Sequence, residues 1–402
     1  MRNIVTIILI CFLSFPAFGQ EIENSHKDKT YKNIYLELLG ASNMIGVSYD
    51  TRIKPGSAFG YRAGISYFYG TNYNSNEGHG FSVPLEFNCI LGKRRSKFEA
   101  GEISAEELAK IEDTEIRGLV QKEENVGLKA VTDGEYRRAF WHMDFLWGLT
   151  GTQKVKAAHF SVAFKGFQPK AETVKIVDKL DFPEDHPFLK HYRFLQDIAA
   201  DVAQPKQCIP SPSMLHLICC VRATDYQPID IYRDNEERLF DDIAQAWTDA
   251  MLALYERGCR YLQFDDTSWG EFCSAEKRKV YADRGIDVDR IGRLYVACIN
   301  KILDKKPADL TVTMHICRGN FRSTWFSSGG YEPVADILFS HCRVDGFFLE
   351  YDTDRAGSFE PLRFIKDQTV VLGLITSKFP VLEDKEAVKA RIKEATKYVP
   401  LN

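Results

Sequence analysis

The sequence predicts an α/β protein built on a parallel sheet, and within that class it favours a (β/α)8 TIM-type barrel. From about Phe98 onward, apolar strands alternate with amphipathic helices to the end of the chain. That alternation is typical of βαβ units and a parallel sheet. The number of units and the polar residues that end most strands favour a barrel over an open sheet. Before this region, short strands and turns predict a separate antiparallel β segment.

The composition bounds the class of protein. The chain has 402 residues, of which 45% are hydrophobic and 27% charged, and this predicts a packed globular core. Its net charge of −4 offers no basic excess to neutralise phosphates, so nucleic acid is excluded as the main partner. The ten cysteines are scattered without a C-x-x-C pair. They predict reduced, buried thiols, and one of them is a candidate metal ligand.

The first 19 residues are typical of a secretory signal peptide. A short basic start, residues 1–3, precedes an apolar run over residues 4–15, and Ala17-Phe18-Gly19 forms a small-x-small cleavage site. The run is too short to span a bilayer, and no other segment approaches 18 uninterrupted apolar residues. We therefore predict export to the envelope and no stable membrane span.

Residues 20–96 form the β-rich segment. Its strands are rich in aromatic and β-branched residues and are separated by turns such as KPGSAFG and NYNSNEGHG. Behind a signal peptide, this segment resembles the opening hairpins of Gram-negative envelope proteins. Four strands cannot close a membrane barrel, because roughly eight are needed. An ordinary secreted antiparallel sheet is the alternative.

The elements of the predicted barrel, residues 97–402, follow in order. Ser104 and Glu107 have the spacing of a capping box and predict a helix to about Asn125. A long amphipathic helix is expected to end at Gly258. The predicted strands are LKAVTDGE, CRYLQFDD, DLTVTMHIC, VDGFFLEYD and TVVLGLIT, and further helices are DVDRIGRLYVACINKILDKK and DKEAVKARIKEATKYV.

Polar side chains close these strands, where barrel enzymes carry their chemistry. In chain order they are Asp133, Glu135, Asp265, Asp266, His315, Cys317, Glu350, Asp352 and Thr376. His315 and Cys317 are two residues apart, so both project from one face of their strand. Glu350 ends the next strand, roughly 4.8 Å away, and is a third candidate ligand. A thiolate, an imidazole and a carboxylate suit Zn²⁺ better than Mg²⁺ or Ca²⁺. A buried His beside a core Cys is the alternative.

Six ordered motifs resemble the cobalamin-independent methionine synthase family, in its stand-alone, single-barrel form. They are VTDGEYRR, WHMDFL, YLQFDD, HICRGNFRSTW, GFFLEYDTDRAGSFEPL and VVLGLITSKFPVLEDKE, and the resemblance covers residues 97–402. It implies a (β/α)8 barrel with one catalytic zinc ion and no cobalamin. It also implies that His315, Cys317 and Glu350 bind the zinc, and that Glu135 and Asp265 hold the amino group of homocysteine.

The reaction implied by the resemblance is methyl transfer from 5-methyltetrahydrofolate to homocysteine, giving methionine. The partners would be a small-molecule thiol and a methyl-folate donor. Zinc would deprotonate the thiol, because the thiolate is the nucleophile. The family places a His after the strand that matches VVLGLIT, whereas this chain has Thr376-Ser377-Lys378, so no proton donor is assigned. Another zinc-thiolate alkyl transfer to a small thiol is the alternative.

The chain also departs from the family pattern at both ends of the barrel. The family's first strand ends in His-Val-Gly-Ser, which does not occur here, and its fourth zinc ligand is a Cys on a last strand that would follow Asn402. We therefore expect a barrel that lacks its first and last strands. Cys273 is a candidate replacement for the fourth ligand, and water is the favoured one.

The seam between the two halves lies at residues 93–104, KRRSKFEAGEIS. We expect either two unrelated gene fragments joined by recombination or assembly, or a real fusion. The two halves predict conflicting locations, because the barrel family is cytoplasmic and the signal peptide directs export. A non-enzymatic envelope β-protein with a chimeric C-terminal half is therefore a further hypothesis. The oligomeric state is not predicted.

Overall fold

The structure is a computed structural model that describes residues 32–38, 45–52, 59–71, 77–82, 85–89, 98, 101–156, 172–199, 203–320 and 323–401. The chain divides into two compact units, Met1–Ala100 and Gly101–Asn402. The predicted signal peptide, residues 1–19, lies outside the described residues.

The first unit contains an antiparallel sheet. Its strands are β1 (Lys32–Leu38), β2 (Ile45–Arg52), β3 (Phe59–Thr71), β4 (Glu77–Ser82) and β5 (Leu85–Cys89). The strand order is β1-β2-β3-β4, and β5 also pairs with β3. Strand β3 is long enough, at 13 residues, to pair with β4 along its second half and β5 along its first half. All of these pairings are antiparallel, as the sequence of short strands and turns predicts.

The second unit alternates strands and helices. Its elements are α1 (Ala105–Asn125), β6 (Ala130–Val131), α2 (Met143–Leu146), β7 (Thr150–Lys156), β8 (Glu172–Asp181), α3 (Pro187–Ile198), β9 (Gln204–Pro205), β10 (Gln207–Pro210), α4 (Pro212–His216), α5 (Glu236–Glu256), β11 (Tyr261–Asp266), α6 (Ser268–Phe272), α7 (Ala275–Asp283), α8 (Val288–Leu303), β12 (Thr311–Ile316), α9 (Glu332–Phe339), β13 (Gly346–Glu350), β14 (Thr369–Gly373) and α10 (Lys385–Ala395). A π-helix (Leu217–Arg222) follows α4, and two 3₁₀ helices (Asp354–Ala356 and Glu360–Phe364) follow β13.

The central sheet of this unit is parallel, as predicted. Strands β10 to β14 are neighbours in chain order, and every pairing between them is parallel. Strand β6 pairs in parallel with β9, and Lys206 alone separates β9 from β10. Among the described strands no pairing joins β14 back to β6. The closed barrel therefore stays a prediction.

Local sequence signals account for the helix ends. The Ser104 hydroxyl accepts from the Glu107 N–H at 3.2 Å, and the Ser104 N–H donates to the Glu107 carboxylate at 3.0 Å, so the predicted capping box forms. Helix α5 stops two residues before Gly258, whose φ of +93° is a left-handed conformation that favours glycine. The predicted start of α1 and stop of α5 are thus confirmed.

Two local features differ from the prediction. The strand expected over LKAVTDGE shrinks to two residues, because Gly134 and Glu135 have φ values of +58° and +59° and turn the chain away. The antiparallel hairpin of β7 and β8 was not predicted from the sequence. Its strands are largely exposed on both sides, so they lack the apolar alternation that marks a half-buried strand.

Strand alternation separates the core from the chemistry. Side chains on one face of β11 and β12, namely Leu262, Phe264, Val312, Met314 and Ile316, are fully buried. They belong to the same apolar cluster as side chains of helices α5 and α8. The opposite face carries Gln263, Asp265, Thr313 and His315. No helix in the described part of the chain is long and apolar enough to cross a membrane.

Candidate functional site

Three neighbouring strands bring the central residues of the site together. In the β11–β12 register Asp265 lies opposite His315, and in the β12–β13 register His315 lies opposite Phe348. Cys317 follows β12 by one residue, and Glu350 is the last residue of β13. The predicted polar ends of β11, β12 and β13 therefore lie at one edge of the sheet.

His315 is oriented by a backbone carbonyl. Its Nδ1–H donates to the Phe348 carbonyl at 3.2 Å, which leaves Nε2 as the ring nitrogen that faces another partner. Metal-binding histidines are commonly fixed in this way. Burial by itself lowers the pKa of His315, but the hydrogen bond and charge of Cys317, with the charge of Asp265, outweigh it and raise the pKa to about 9.

Cys317 lies in a tightly packed turn. Its Sγ accepts from the Gly319 N–H at 3.2 Å. Its carbonyl lies so close to Gly270 of α6 that a Cβ on that glycine would collide with it. The backbone on both sides of the thiol is therefore fixed by close contacts, and the thiol is held beside the imidazole of His315.

Glu350 is anchored through its backbone and its carboxylate. Its N–H donates to the Tyr331 hydroxyl at 3.0 Å, and its carbonyl accepts from Arg318 Nη1 at 2.9 Å. One carboxylate oxygen accepts from the Arg318 N–H at 3.1 Å, and the other forms an ion pair with Arg355. The carboxylate therefore faces a guanidinium group as well as the chain beside Cys317.

The donor chemistry fits zinc only in part. His315 and Cys317 supply the nitrogen and sulfur that zinc prefers. Within the described ranges, however, no group of three or more His, Cys, Asp or Glu side chains is gathered closely enough to hold a metal ion. Glu350 pairs with Arg355, and Cys273 is buried, with a pKa that burial raises to about 12. The zinc ligand set stays a prediction.

Glu135 lies at a strained turn and is paired with a buried arginine. Its φ of +59° is uncommon for a residue other than glycine and often accompanies function. Its carboxylate accepts from Arg138 Nη1 at 2.7 Å. Burial raises the pKa of Glu135 to about 7; the charge of Arg138 opposes this shift, while the charges of Asp265 and Asp133 add to it.

Asp265 lies between Glu135 and His315 in this electrostatic network. Its carboxylate accepts from the Gln263 side-chain amide at 2.6 Å. Burial raises its pKa, and the positive charges of His315, Arg138 and Lys206 oppose the shift. The ammonium group of Lys206 lies 4.1 Å from the centroid of the Phe348 ring. Two carboxyl groups with raised pKa values are thus surrounded by three cations.

The other predicted strand-end residues have structural partners. Asp266 is fully buried and accepts hydrogen bonds from Ser213 and Ser268. Asp352 forms an ion pair with Arg355 and accepts from the Thr376 hydroxyl at 2.8 Å. These contacts hold Asp266, Asp352 and Thr376 in place, and they assign none of the three a direct role in the reaction.

The sequence-based reasoning missed three residues that build the site: Arg138, Arg318 and Tyr331. Arg138 donates to the Cys208 carbonyl at 2.7 Å in addition to its bond with Glu135. Arg318 is completely buried and donates to Tyr331 and to two backbone carbonyls. The only sequence signal for the two arginines is their position: Arg138 lies three residues after Glu135, and Arg318 lies directly after Cys317.

The chain is similar to known proteins in sequence and in structure. No family model matches the chain. The chain is 47% identical over 323 residues to the "Uncharacterized protein YxjH" of Bacillus subtilis (strain 168), covering 80% of this chain and 81% of the relative. It is 42% identical to the solved "Putative Vitamin-B12 Independent Methionine Synthase from Listeria monocytogenes", with a TM-score of 0.60, covering 77% of this chain and 83% of that one.

A more distant structure supports the fold alone. It is a B12-independent methionine synthase from Shewanella sp. W3-18-1 in complex with selenomethionine. Its identity to this chain is 18% and the TM-score is 0.54, and the match covers 74% of this chain and 80% of that one. The arrangement of strands and helices is therefore shared well beyond recognisable sequence identity.

Proposed function

Because the chain belongs to the family of the Listeria vitamin-B12-independent methionine synthase and YxjH, we propose that it is a methyltransferase. The proposed reaction moves the methyl group of 5-methyltetrahydrofolate to the thiol of homocysteine and yields methionine, with one zinc ion and no cobalamin. The observation that carries the proposal is the pairing of His315 with Cys317 beside the two carboxyl groups of Glu135 and Asp265.

The proposed zinc ligands are His315, Cys317 and Glu350. When bound, zinc would supply charge that lowers the pKa of a substrate thiol and favours the thiolate. In support, Nδ1 of His315 bonds the Phe348 carbonyl, so Nε2 is the ring nitrogen left for an ion. The backbone of Cys317 is held by the close approach of Gly270 to its carbonyl.

Glu135 and Asp265 are the proposed partners of the substrate ammonium group. A carboxylate close to an ammonium group stabilises it most strongly where water is largely excluded. Arg138 orients Glu135, and Gln263 orients Asp265, so each carboxyl group has a fixed direction. Glu135 and Asp265 would bind the ammonium group in their ionised forms.

No residue of this chain is assigned as the proton donor to the folate nitrogen. Thr376, Ser377 and Lys378 occupy the positions after β14 where the family has a His. Thr376 donates to Asp352, and its hydroxyl accepts from the Lys378 N–H at 3.1 Å, so this turn is internally bonded. The methyl donor is accordingly the part of the proposal that most needs a direct assay.

The first experiment measures zinc per chain and methyl transfer on the full-length protein. We expect bound zinc and methionine formation in the unchanged protein, and loss of both in His315→Ala and Cys317→Ser. His341→Ala is the matched control, because His341 is exposed and its ring bonds the Asp336 carbonyl of helix α9, away from the proposed ligands. Absence of zinc from both the unchanged protein and the control would overturn the metal part of the proposal.

A second experiment identifies the acceptor. Homocysteine is compared with other small thiols that lack the amino group, using a methyl-folate donor. Glu135→Gln should raise the KM for homocysteine and leave the KM for a thiol without an amino group unchanged. Equal use of both thiols by the unchanged protein would refute the role of Glu135 and Asp265.

We propose a cytoplasmic location for the enzyme. A reaction that uses folate and a reduced thiol belongs in the cytoplasm, whereas residues 1–19 predict export. Cell fractionation with an antibody against the second unit separates the two. Recovery of the protein in an envelope fraction alone would contradict a cytoplasmic methyltransferase and favour the envelope-protein hypothesis.

A further inference from the structure

Lys378 is a buried side chain that the proposed reaction does not use. It lies in the turn after β14 and is only 9% exposed, which is rare for a lysine. Its backbone N–H is hydrogen-bonded, but in the part of the chain that the structure describes its ammonium group has neither an ion pair nor a hydrogen-bond partner. Buried charges in proteins are normally paired, so the counter-charge of Lys378 has to be supplied by another group.

Resting on the proposed function, we propose that the ammonium group of Lys378 binds a carboxylate group of a substrate. Both proposed substrates carry such a group, because homocysteine has an α-carboxylate and the folate donor has a glutamate arm. A hydrogen bond between an ammonium group and a carboxylate is stronger than one between neutral groups. Lys378 is therefore a binding residue that selects for an anionic substrate, and it takes no part in the transfer of the methyl group.

The backbone of Lys378 is fixed by the turn that carries it. The Lys378 N–H donates to the Thr376 hydroxyl at 3.1 Å, and that hydroxyl donates to Asp352 at 2.8 Å. The Thr376 N–H donates to the Glu383 carboxylate at 2.7 Å. Because these bonds hold the turn in one conformation, the lysine loses little backbone freedom when it binds an anion.

The same turn lies against the chain segment that follows β12. The side-chain amide of Asn320 donates to the Ser377 hydroxyl at 2.9 Å. The rings of Trp325 and Phe379 pack edge to face, with their centroids 6.4 Å apart. The residues on both sides of Lys378 therefore contact the loop that begins directly after the strand of the candidate site.

The carboxylates that contact this turn are bonded to other groups. Asp352 is 5% exposed, forms an ion pair with Arg355 at 2.9 Å and accepts from the Thr376 hydroxyl. Glu383 accepts from the Thr376 N–H. Neither carboxylate pairs with Lys378, so an anion that does so has to come from outside the turn.

The experiment measures ligand binding to the full chain by isothermal titration calorimetry. Homocysteine is compared with aminopropanethiol, which lacks the carboxylate. The folate donor is compared with the methylated tetrahydropterin that lacks the glutamate arm. Lys378→Met should weaken the binding of one carboxylate-bearing ligand by about tenfold and leave its carboxylate-free analogue unchanged.

Two further variants complete the test. Lys378→Arg keeps the positive charge and should retain most of the affinity for the carboxylate-bearing ligand. Lys389→Met is the matched control, because Lys389 is exposed and pairs with Glu386 on helix α10. The ligand pair that responds to Lys378→Met identifies the source of the carboxylate. A response in neither pair overturns the proposal.

A structural role for Lys378 has a different signature. Lys378→Met removes no hydrogen bond or ion pair of the side chain among the described residues, so the thermal midpoint of the ligand-free protein should stay unchanged or rise. A lower midpoint, failure of the variant to fold, or an equal loss of affinity for both members of a ligand pair would show that the lysine supports the fold, and each overturns the proposal.

A failure of the proposed function is recognised separately. If the unchanged protein and the Lys389→Met control bind neither homocysteine nor the folate donor, the proposed substrates are wrong and the role of Lys378 falls with them. If both proteins bind these ligands and Lys378→Met binds all four compounds equally well, the substrates stand and only the role of Lys378 is wrong.

Discussion

His186 should make the second unit sensitive to mild acid. It is fully buried and caps α3, where its Nδ1 accepts from the Phe188 N–H at 3.2 Å and its Nε2–H donates to the Phe145 carbonyl at 3.0 Å. These two bonds require the neutral ring, because a proton on Nδ1 would face the Phe188 N–H. Burial is the main reason that the pKa of His186 falls from 6.5 to about 4.

The magnitude follows from this difference in pKa between the folded and unfolded states. Between pH 6.5 and pH 4 the unfolded chain binds a proton at His186 that the folded chain does not, so the free energy of unfolding falls as the pH falls. The full loss is about 3 kcal/mol below pH 4, and about 2 kcal/mol is already lost at pH 5. Above about pH 6.5 the stabilisation is fully present.

The assay is denaturant unfolding of the full chain, followed by a signal from the second unit, at a series of pH values from 4.5 to 7.5. His186→Asn keeps a cap acceptor but does not titrate, so the free energy of unfolding of this variant should fall less steeply with acid. The difference in slope should correspond to about one proton fewer taken up on unfolding. His341→Asn, at an exposed position, should keep the slope of the unchanged protein. Equal slopes for all three proteins would refute the reasoning.

Three further substitutions and one pH dependence follow from the structure. Arg318→Met should destabilise the second unit by about 3–5 kcal/mol in denaturant unfolding, because it leaves buried carbonyl groups without their charged donor. Gly148→Ala should lower the melting temperature markedly, since the added Cβ collides with the His186 ring, whereas Ser104→Ala should cost only about 1 kcal/mol through loss of the cap. The KM for homocysteine should fall as the pH rises through about 7, where Glu135 ionises, and Glu135→Gln should abolish that dependence.

The site was predictable where residue type and strand position suffice. His315 and Cys317 share a face because side chains alternate along a strand, and Asp265 lies opposite His315 because neighbouring parallel strands end together. The partners of these residues were not predictable. The Glu350 carboxylate could face a metal ion or Arg355. The choice depends on side-chain rotamers and on the distances between loops.

By itself, the sequence determined the alternation of strands and helices, the parallel order of β10 to β14, and the capping box at Ser104. These features depend on hydrophobic periodicity and on contacts within a few residues of chain. Only the tertiary structure decided the left-handed turn at Glu135 and the burial of Arg318 against the Glu350 backbone. Both depend on groups that are distant in the chain and meet only after the strands have packed, so no local pattern encodes them.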